Sequence, residues 1–273
     1  VRSAHARHVR IAAARSGVEC VHAGAVGTGP NGDLVRAALA AEGVTLSAPP
    51  VADLDTGVCV VLVEPSAART LVTTRGAERQ ITVQSLAASN PVPGDLVCVS
   101  GYSLVGRTRD PLVEWLDTLA DGVVVVLDPG ATFAGLAEPL RDRVLARTDV
   151  WTGNADEAAA LTGVRGMREA AEVVATLLAP DAVTIVRDGA RGCAVRESGG
   201  TTHCPGHPQR PVDTNGAGDT HTGVLLAERA TGASWPEAAA RANTAGAIKV
   251  TRRGPDTAPT RAEIDAFLAA LSH

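Results

Sequence analysis

The stretch DLVCVSGYSLVGRTRDPLVEWLDTLADGVVVVLD, Asp95–Asp128, reads as strand, helix and strand in succession. Its two strand-like runs, Asp95–Ser100 and Val123–Asp128, are continuously apolar rather than alternating. A strand with one wet face alternates polar and apolar residues, whereas one covered on both faces does not. Arg109–Ala120 between them reads as a helix. Strands joined across a helix lie parallel. The fold class predicted is therefore α/β, three layers with a mostly parallel central sheet and helices on both faces.

The same alternation extends outward in both directions. Val18–Gly24 reads as a strand and Gly32–Gly43 as a helix closed by glycine. Beyond Asp128 come helices in NADEAAALTG and MREAAEVVATLLA, then strands in AVTIVRDG and CAVRE. The C-terminal part is helical at Gly218–Ala230, from Trp235 to about Val250, and at Thr260–Leu271. Thr56–Glu64 and Arg69–Thr74 have no helix between them and predict an antiparallel pair, a small β-lid contributed around residues 45–80. No repeat or long linker divides the chain, so residues 1–273 read as one domain. The opening VRSAHARHVRIAAARSG shows no lead-in strand, and the N-terminal strand is expected to be absent from this chain.

Composition narrows the function. The 273 residues are 45% hydrophobic but only 2% aromatic, so the core is built from Val, Leu, Ile and Ala. A net charge of −5 gives no global basic field for nucleic acid or an anionic membrane. No apolar run reaches the roughly 18–20 residues that span a bilayer. No signal peptide is visible, and a cytoplasmic protein is expected. Cys20, Cys59, Cys98, Cys193 and Cys204 are scattered without a CxxC pair and read as reduced, buried thiols. Lys249 is the sole lysine against 24 arginines.

Four motifs carry possible chemistry. GTGPNG (Gly27, Gly29, Gly32) fits the dinucleotide fingerprint, but the acidic strand end that should follow is replaced by the proline-containing LSAPPVADLDTG. It is expected to be a glycine-rich connection. TTHCPGHP groups His203, Cys204 and His207 near Cys193 without the paired spacing of a zinc site, and a strand end with a loop explains it. NADEAAALTG places Asn154 and Glu157 as an N-cap and its N3 partner, a capping box that can also hold water around magnesium. DTNGAGDTHTG sets Gly216 and Gly218 before a helix, where exposed N–H groups and the helix dipole make an anion site. Asp219 on its first turn can take a proton from an attacking hydroxyl.

This last segment resembles the D-T-x-G-A-G-D signature of the ribokinase (pfkB) family of carbohydrate kinases. Other segments follow in that family's order: AGAVGTGPNGDLVRAALAAEGV, TGVCVVLVE with RTLVTTRGA, LDPG, TGNADEAAALTG, VRDGARGCAV and ANTAGAIKVTRRG. The resemblance implies Asp219 as catalytic base, with Gly216, Ala217 and Gly218 as the anion hole. It implies that Asn154 and Glu157 organise Mg2+ and phosphates, and that Arg187, Gly189, Gly192 and Asn243 lie along ATP. Asp213, Asn215 and carbonyls around Lys249–Gly254 match the monovalent-cation (K+) site of many members. The family's sugar-binding element departs here, with Ser3 and Ala4 for two glycines and His8 for an asparagine. His8 and Tyr102 are the expected acceptor residues, and a homodimer through the lid is the expected assembly.

The implied activity is ATP-dependent phosphorylation of a hydroxyl on a small sugar or polyol. No P-loop motif, H-R-D or D-F-G exists in the chain, which excludes P-loop and protein kinases. A nucleoside kinase of the same fold, a catalytically silent binding relative and a dehydrogenase are the alternatives.

Overall fold

The computed structural model describes residues 1–3, 7–63 and 69–271. In chain order the elements begin with β1 (Arg2–Ser3), α1 (Arg7–Arg15), β2 (Val21–His22), α2 (Pro30–Ala41) and β3 (Thr45–Leu46). A two-stranded excursion, β4 (Cys59–Val63) and β5 (Arg69–Thr73), comes next. The middle comprises α3 (Val83–Ala87), β6 (Leu96–Ser100), α4 (Arg109–Asp117), β7 (Val124–Asp128), α5 (Glu138–Ala146), β8 (Val150–Asn154), α6 (Ala155–Thr162) and α7 (Met167–Ala175). Then follow β9 (Val183–Arg187), β10 (Cys193–Glu197), β11 (Gly200–Cys204), α8 (Ala217–Ala230), α9 (Trp235–Val250) and α10 (Arg261–Leu271).

Nine strands form one sheet in the order β11-β10-β9-β8-β7-β6-β1-β2-β3, parallel throughout except for β10 and β11. The apolar continuity of β6 now has its cause. Val97 and Val99 face a core with Leu112, Trp115 and Leu116 of α4, while Leu96 and Cys98 face the opposite core with Val224, Leu225 and Leu226 of α8. Successive side chains alternate between two buried faces, so each must be apolar. Helices α3 to α7 supply the first core, and α1 and α8 to α10 the second.

Two expectations are corrected. The N-terminal strand is present: Arg2–Ser3 pairs in parallel with both β2 and β6, in the middle of the sheet. Two residues give propensity too little to act on, which is why the sequence does not reveal it. Of the five cysteines, Cys59 is exposed on β4 rather than buried. The antiparallel pair forms as expected, register Cys59↔Thr73 to Val63↔Arg69, separate from the main sheet. Its connection Glu64–Ala68 lies outside the described residues, as does Ala4 of the N-terminal element.

Candidate active site

The N-terminus of α8 is held by the residues before it. Val212 and Asp213 donate their N–H groups to the Val250 carbonyl at 2.7 and 3.1 Å. The Asp213 carboxylate accepts the Asn215 N–H at 2.8 Å and the Gly254 N–H at 2.9 Å, and Lys249 Nζ donates to the Asp213 main-chain oxygen at 2.8 Å. Asp213, Asn215, Lys249 and Gly254 are thus brought together. Gly216 then takes a left-handed conformation (φ +80°), and a Cβ there would lie 2.9 Å from the Pro255 carbonyl oxygen. Only glycine suits that position.

Gly218 differs from expectation. It lies inside the first turn of α8 with no left-handed φ, and its lack of a side chain serves another purpose: a Cβ would stand 2.6 Å from Arg187 Nη1. The Ala217 N–H donates back to the Thr214 carbonyl at 3.2 Å. The first N–H groups of a helix have no intrahelical acceptor. Gly218 and Asp219 lie in the first turn of α8, at the positive end of its helix dipole.

Three neighbouring parallel strands end in polar residues beside this turn: β7 in Asp128, β8 in Asn154 and β9 in Arg187. Carboxyl ends of parallel strands are where such sheets place ligands. Arg187 Nη2 lies 3.5 Å from Asp128 and 4.0 Å from Glu157, and donates to the Thr152 carbonyl at 3.4 Å. Asn154 and Glu157 form the expected capping box, with reciprocal 2.8 Å bonds. Burial, and then the negative charge of Asp128, push the Glu157 carboxyl above its usual range against the pull of Arg187. Asp128, which also accepts the Thr222 hydroxyl at 3.2 Å, was legible only as the strand end in LDPG.

A cavity of about 350 Å³ opens beyond Arg187, lined among others by Asn154, Gly189, Gly192, Ala217, Gly218 and Asn243. Six expected phosphate and nucleotide positions therefore line one cavity with Arg187. Sequence reasoning missed Gly246, Ala247 and Val250, which line it from α9 beside Asn243 and whose signal is the run of small residues in NTAGAIKV. Asn243 contributes mainly by holding that wall: its Nδ2 donates to the Cys204 and Pro205 carbonyls at 3.0 and 3.2 Å, and its Oδ1 lies 3.1 Å from His221 Nε2. Burial, with the positive charge of Arg187, lowers the His221 pKa to about 3, so the imidazole is neutral at pH 7.

A second cavity, about 300 Å³, is lined by residues including Arg10, His22, Glu78, Arg79 and Tyr102. Arg10 is fully buried, and desolvation lowers its pKa to about 10. Its signal in the sequence was a lone arginine within the apolar run HVRIAAA. Tyr102 lines this cavity, whereas His8 does not, and the His8 Nδ1 lies 2.5 Å from an Asp256 carboxylate oxygen.

The remaining motifs are structural. The glycine loop Gly27–Gly32 leads into α2, whose N-terminal amides at Asn31 and Gly32 are met by the chain's own Asp55 at 3.2 and 2.9 Å. His203 Nε2 contacts the Arg191 carbonyl at 2.9 Å, His207 Nε2 the Thr244 hydroxyl at 3.1 Å, and Cys193 sits opposite Cys204 in the β10–β11 register.

A three-layer α/β/α fold with a mostly parallel central sheet, and a glycine-led helix start at the carboxyl ends of its strands, is that of the ribokinase-like kinases. A model of the pfkB carbohydrate kinases matches residues 7–261, and this chain belongs to that family, whose members are phosphotransferases with alcohol groups as acceptors. The uncharacterized sugar kinase YegV of Escherichia coli strain K12 is 33% identical over 265 residues, covering 95% of this chain and 81% of YegV. Haemophilus influenzae ribokinase is 30% identical over 267 residues, 94% of this chain and 84% of the relative. A putative ribokinase II from E. coli, solved in complex with ATP and Mg2+, superposes with a TM-score of 0.82 at 25% identity, over 96% of this chain and 87% of that one.

Proposed function

We propose that this pfkB sugar kinase transfers the γ-phosphoryl group of ATP to a hydroxyl of a small sugar or polyol, with Asp219 as base. The observation that carries the reading is the gathering of Asp128, Glu157 and Arg187 beside the start of α8, where Asn154, Arg187, Ala217 and Gly218 line one cavity. ATP suits the larger cavity, with Gly189, Gly192 and α9 against its base end and Arg187 at the phosphates. The acceptor suits the cavity of Arg10 and Tyr102. There a hydroxyl loses its proton to Asp219 and attacks in line. The positive end of α8 at Ala217–Gly218 and the Arg187 guanidinium offset charge developing on the transferred group.

Asp128 and Glu157 fit magnesium. Two carboxylates share one arginine; burial, and then the charge of Asp128, raise the Glu157 pKa, and a divalent cation between them would offset both. Bound through water near Asn154, Glu157 and Asp128, the ion would neutralise charge between the phosphates. The test of the activity is ATP turnover by the purified chain over a panel of sugars, polyols and nucleosides; absence of turnover with every acceptor overturns it.

Glu157→Gln separates the metal role from the cap, because glutamine still accepts the Asn154 N–H. We expect the variant to need several-fold more magnesium for half-maximal rate. Its melting temperature should match or exceed the parent's at pH 7. A raised folded-state pKa means that the ionised carboxylate opposes folding above the unfolded value, so any excess in melting temperature should shrink as pH falls toward 4. An unchanged magnesium requirement would leave Glu157 as a cap alone.

The β4–β5 pair is the lid in this reading, and it is also the dimer face. Val60, Leu62 and Val72 are 52%, 55% and 56% exposed there, an apolar surface of the kind a second copy covers. Val60→Asp with Val72→Asp is expected to shift sedimentation from dimer to monomer; a parent that already sediments as a monomer removes the dimer.

A further inference from the structure

The monovalent-cation site implied by the family resemblance meets residues that do not fit an exchangeable ion. Lys249 is fully buried in the last turn of α9, and its Nζ donates to the Asp213 main-chain oxygen at 2.8 Å. The Asp213 carboxylate faces the Asn215 and Gly254 N–H groups, and the Val250 carbonyl faces those of Val212 and Asp213. The oxygens that would turn toward an ion therefore face donors of the chain itself. A helix C-terminus favours positive charge. An ammonium group is a compact point charge comparable to K+, whereas a guanidinium is a planar fork. Lysine stands here and nowhere else in a chain with 24 arginines.

We propose that the Lys249 ammonium is a tethered cation that replaces the exchangeable monovalent ion. It fixes the Asp213 loop, three residues before Gly216, and so holds the open end of α8 in place without potassium. Lys249 is a positioning residue, acting through Asp213. The test measures affinity for a non-hydrolysable ATP analogue in KCl, NaCl and tetramethylammonium chloride at equal ionic strength. The parent should bind equally, within about twofold, in all three. Lys249→Ala should bind at least tenfold more weakly in tetramethylammonium and recover with K+ or ammonium ion, a rescue that a merely structural role would not give. Severalfold tightening of the parent by K+ overturns the proposal, and this arm stands even if the variant does not fold. A folded Lys249→Ala that binds like the parent in tetramethylammonium, or that neither ion restores, also overturns it. A parent that binds the analogue in no salt overturns the kinase reading as well.

A separate feature bears on the acceptor. Beside the cavity of Arg10 and Tyr102 lies a smaller one of about 210 Å³, lined by Leu54, Arg75, Gly76, Arg79, Gln80 and Arg107. Arg79 lines both cavities. Three arginines and no acidic residue line it, Arg79 with its Nη1 on the Thr108 hydroxyl at 3.2 Å, and the nearby Glu78 is turned to the Gly57 and Gly76 amides at 2.8 Å. Like charges gathered at a cavity repel unless an anion enters.

Resting on the kinase reading above, we infer that the acceptor is an anionic sugar, its phosphate or carboxylate held by Arg75, Arg79 and Arg107. The test compares turnover of ribose, fructose and glucose with that of their monophosphates and of gluconate and glucuronate, which separates the two anion sources. An anionic acceptor should exceed its neutral parent at least tenfold in kcat/KM. The exposed double variant Arg75→Ser with Arg107→Ser should raise KM for that acceptor at least tenfold and narrow the gap between the anionic acceptor and its neutral parent. A neutral sugar as best acceptor, or an unchanged KM in the double variant, overturns the inference and leaves the kinase standing. No turnover with either class overturns both.

Discussion

Asp219→Asn is expected to lower turnover by about two to four orders of magnitude, the usual range for losing a general base. Asparagine keeps the shape of the side chain and cannot accept the proton. The positive end of α8, Arg187 and the ATP cavity stay in place, so nucleotide affinity should change little. Melting should also change little, because α8 keeps its Gly216 cap and its buried face of Val224, Leu225 and Leu226. Single-turnover kinetics with saturating ATP are the appropriate measurement, since they read the chemical step directly. Turnover within a few-fold of the parent would remove Asp219 as the base.

Gly218→Val should have the next largest effect, by a different route. The backbone at Gly218 is helical, so valine meets no left-handed strain. Its Cβ would stand 2.6 Å from Arg187 Nη1, and the guanidinium has to swing away. That movement takes positive charge from Asp128 and Glu157 and from the place where the phosphates sit. Losing one charge-assisted contact costs about 1.5–3 kcal/mol, roughly 10- to 200-fold in rate or affinity. We expect kcat/KM for ATP to fall by about that factor while the far-ultraviolet circular dichroism stays that of the parent. Unchanged kinetics would mean that Arg187 does not face the phosphates.

Much of this site could be read from the chain because its parts are local. The capping box of Asn154 and Glu157 spans one helical turn, and so does the Gly216–Asp219 motif; each announces itself at short range. Strands β6 and β7 were equally plain, since burial on both faces demands unbroken apolar runs. What stayed hidden depends on distance along the chain or on short elements. VWTGN forms β8 because it is sandwiched between β7 and β9, although Thr152, Gly153 and Asn154 give it little strand character of their own. GTTHC forms the edge strand β11, where three of five residues are exposed and no apolar pattern is required. Helix α5 went unread because EPLRDRVLA carries only a weak apolar stripe, although Pro139 in its first turn is a start signal. Asp128 and Arg10 gain their roles only when residues far apart in sequence meet.

The carboxylate of Asp55 has a mechanical consequence. It accepts the Asn31 and Gly32 N–H groups at the start of α2 and the N–H of Thr56, while its main-chain oxygen accepts the Ala77 N–H at 2.9 Å. One residue thus rivets the root of the β4–β5 arm to the body, and any swing must pivot farther out than Thr56 and Ala77. In amide hydrogen exchange Gly32 should therefore be as slow as the body, while β4 and β5 exchange fast. Despite desolvation, bonds from Gly32, Asn31 and Thr56 hold the Asp55 carboxyl below its usual range. Their contribution is present above the unfolded pKa and lost as pH falls through the folded value. Acid should accordingly unfasten the arm at its root, seen as a selective rise in Gly32 exchange beyond the intrinsic pH trend before the main sheet opens; loss of both together would show that Asp55 is no fulcrum.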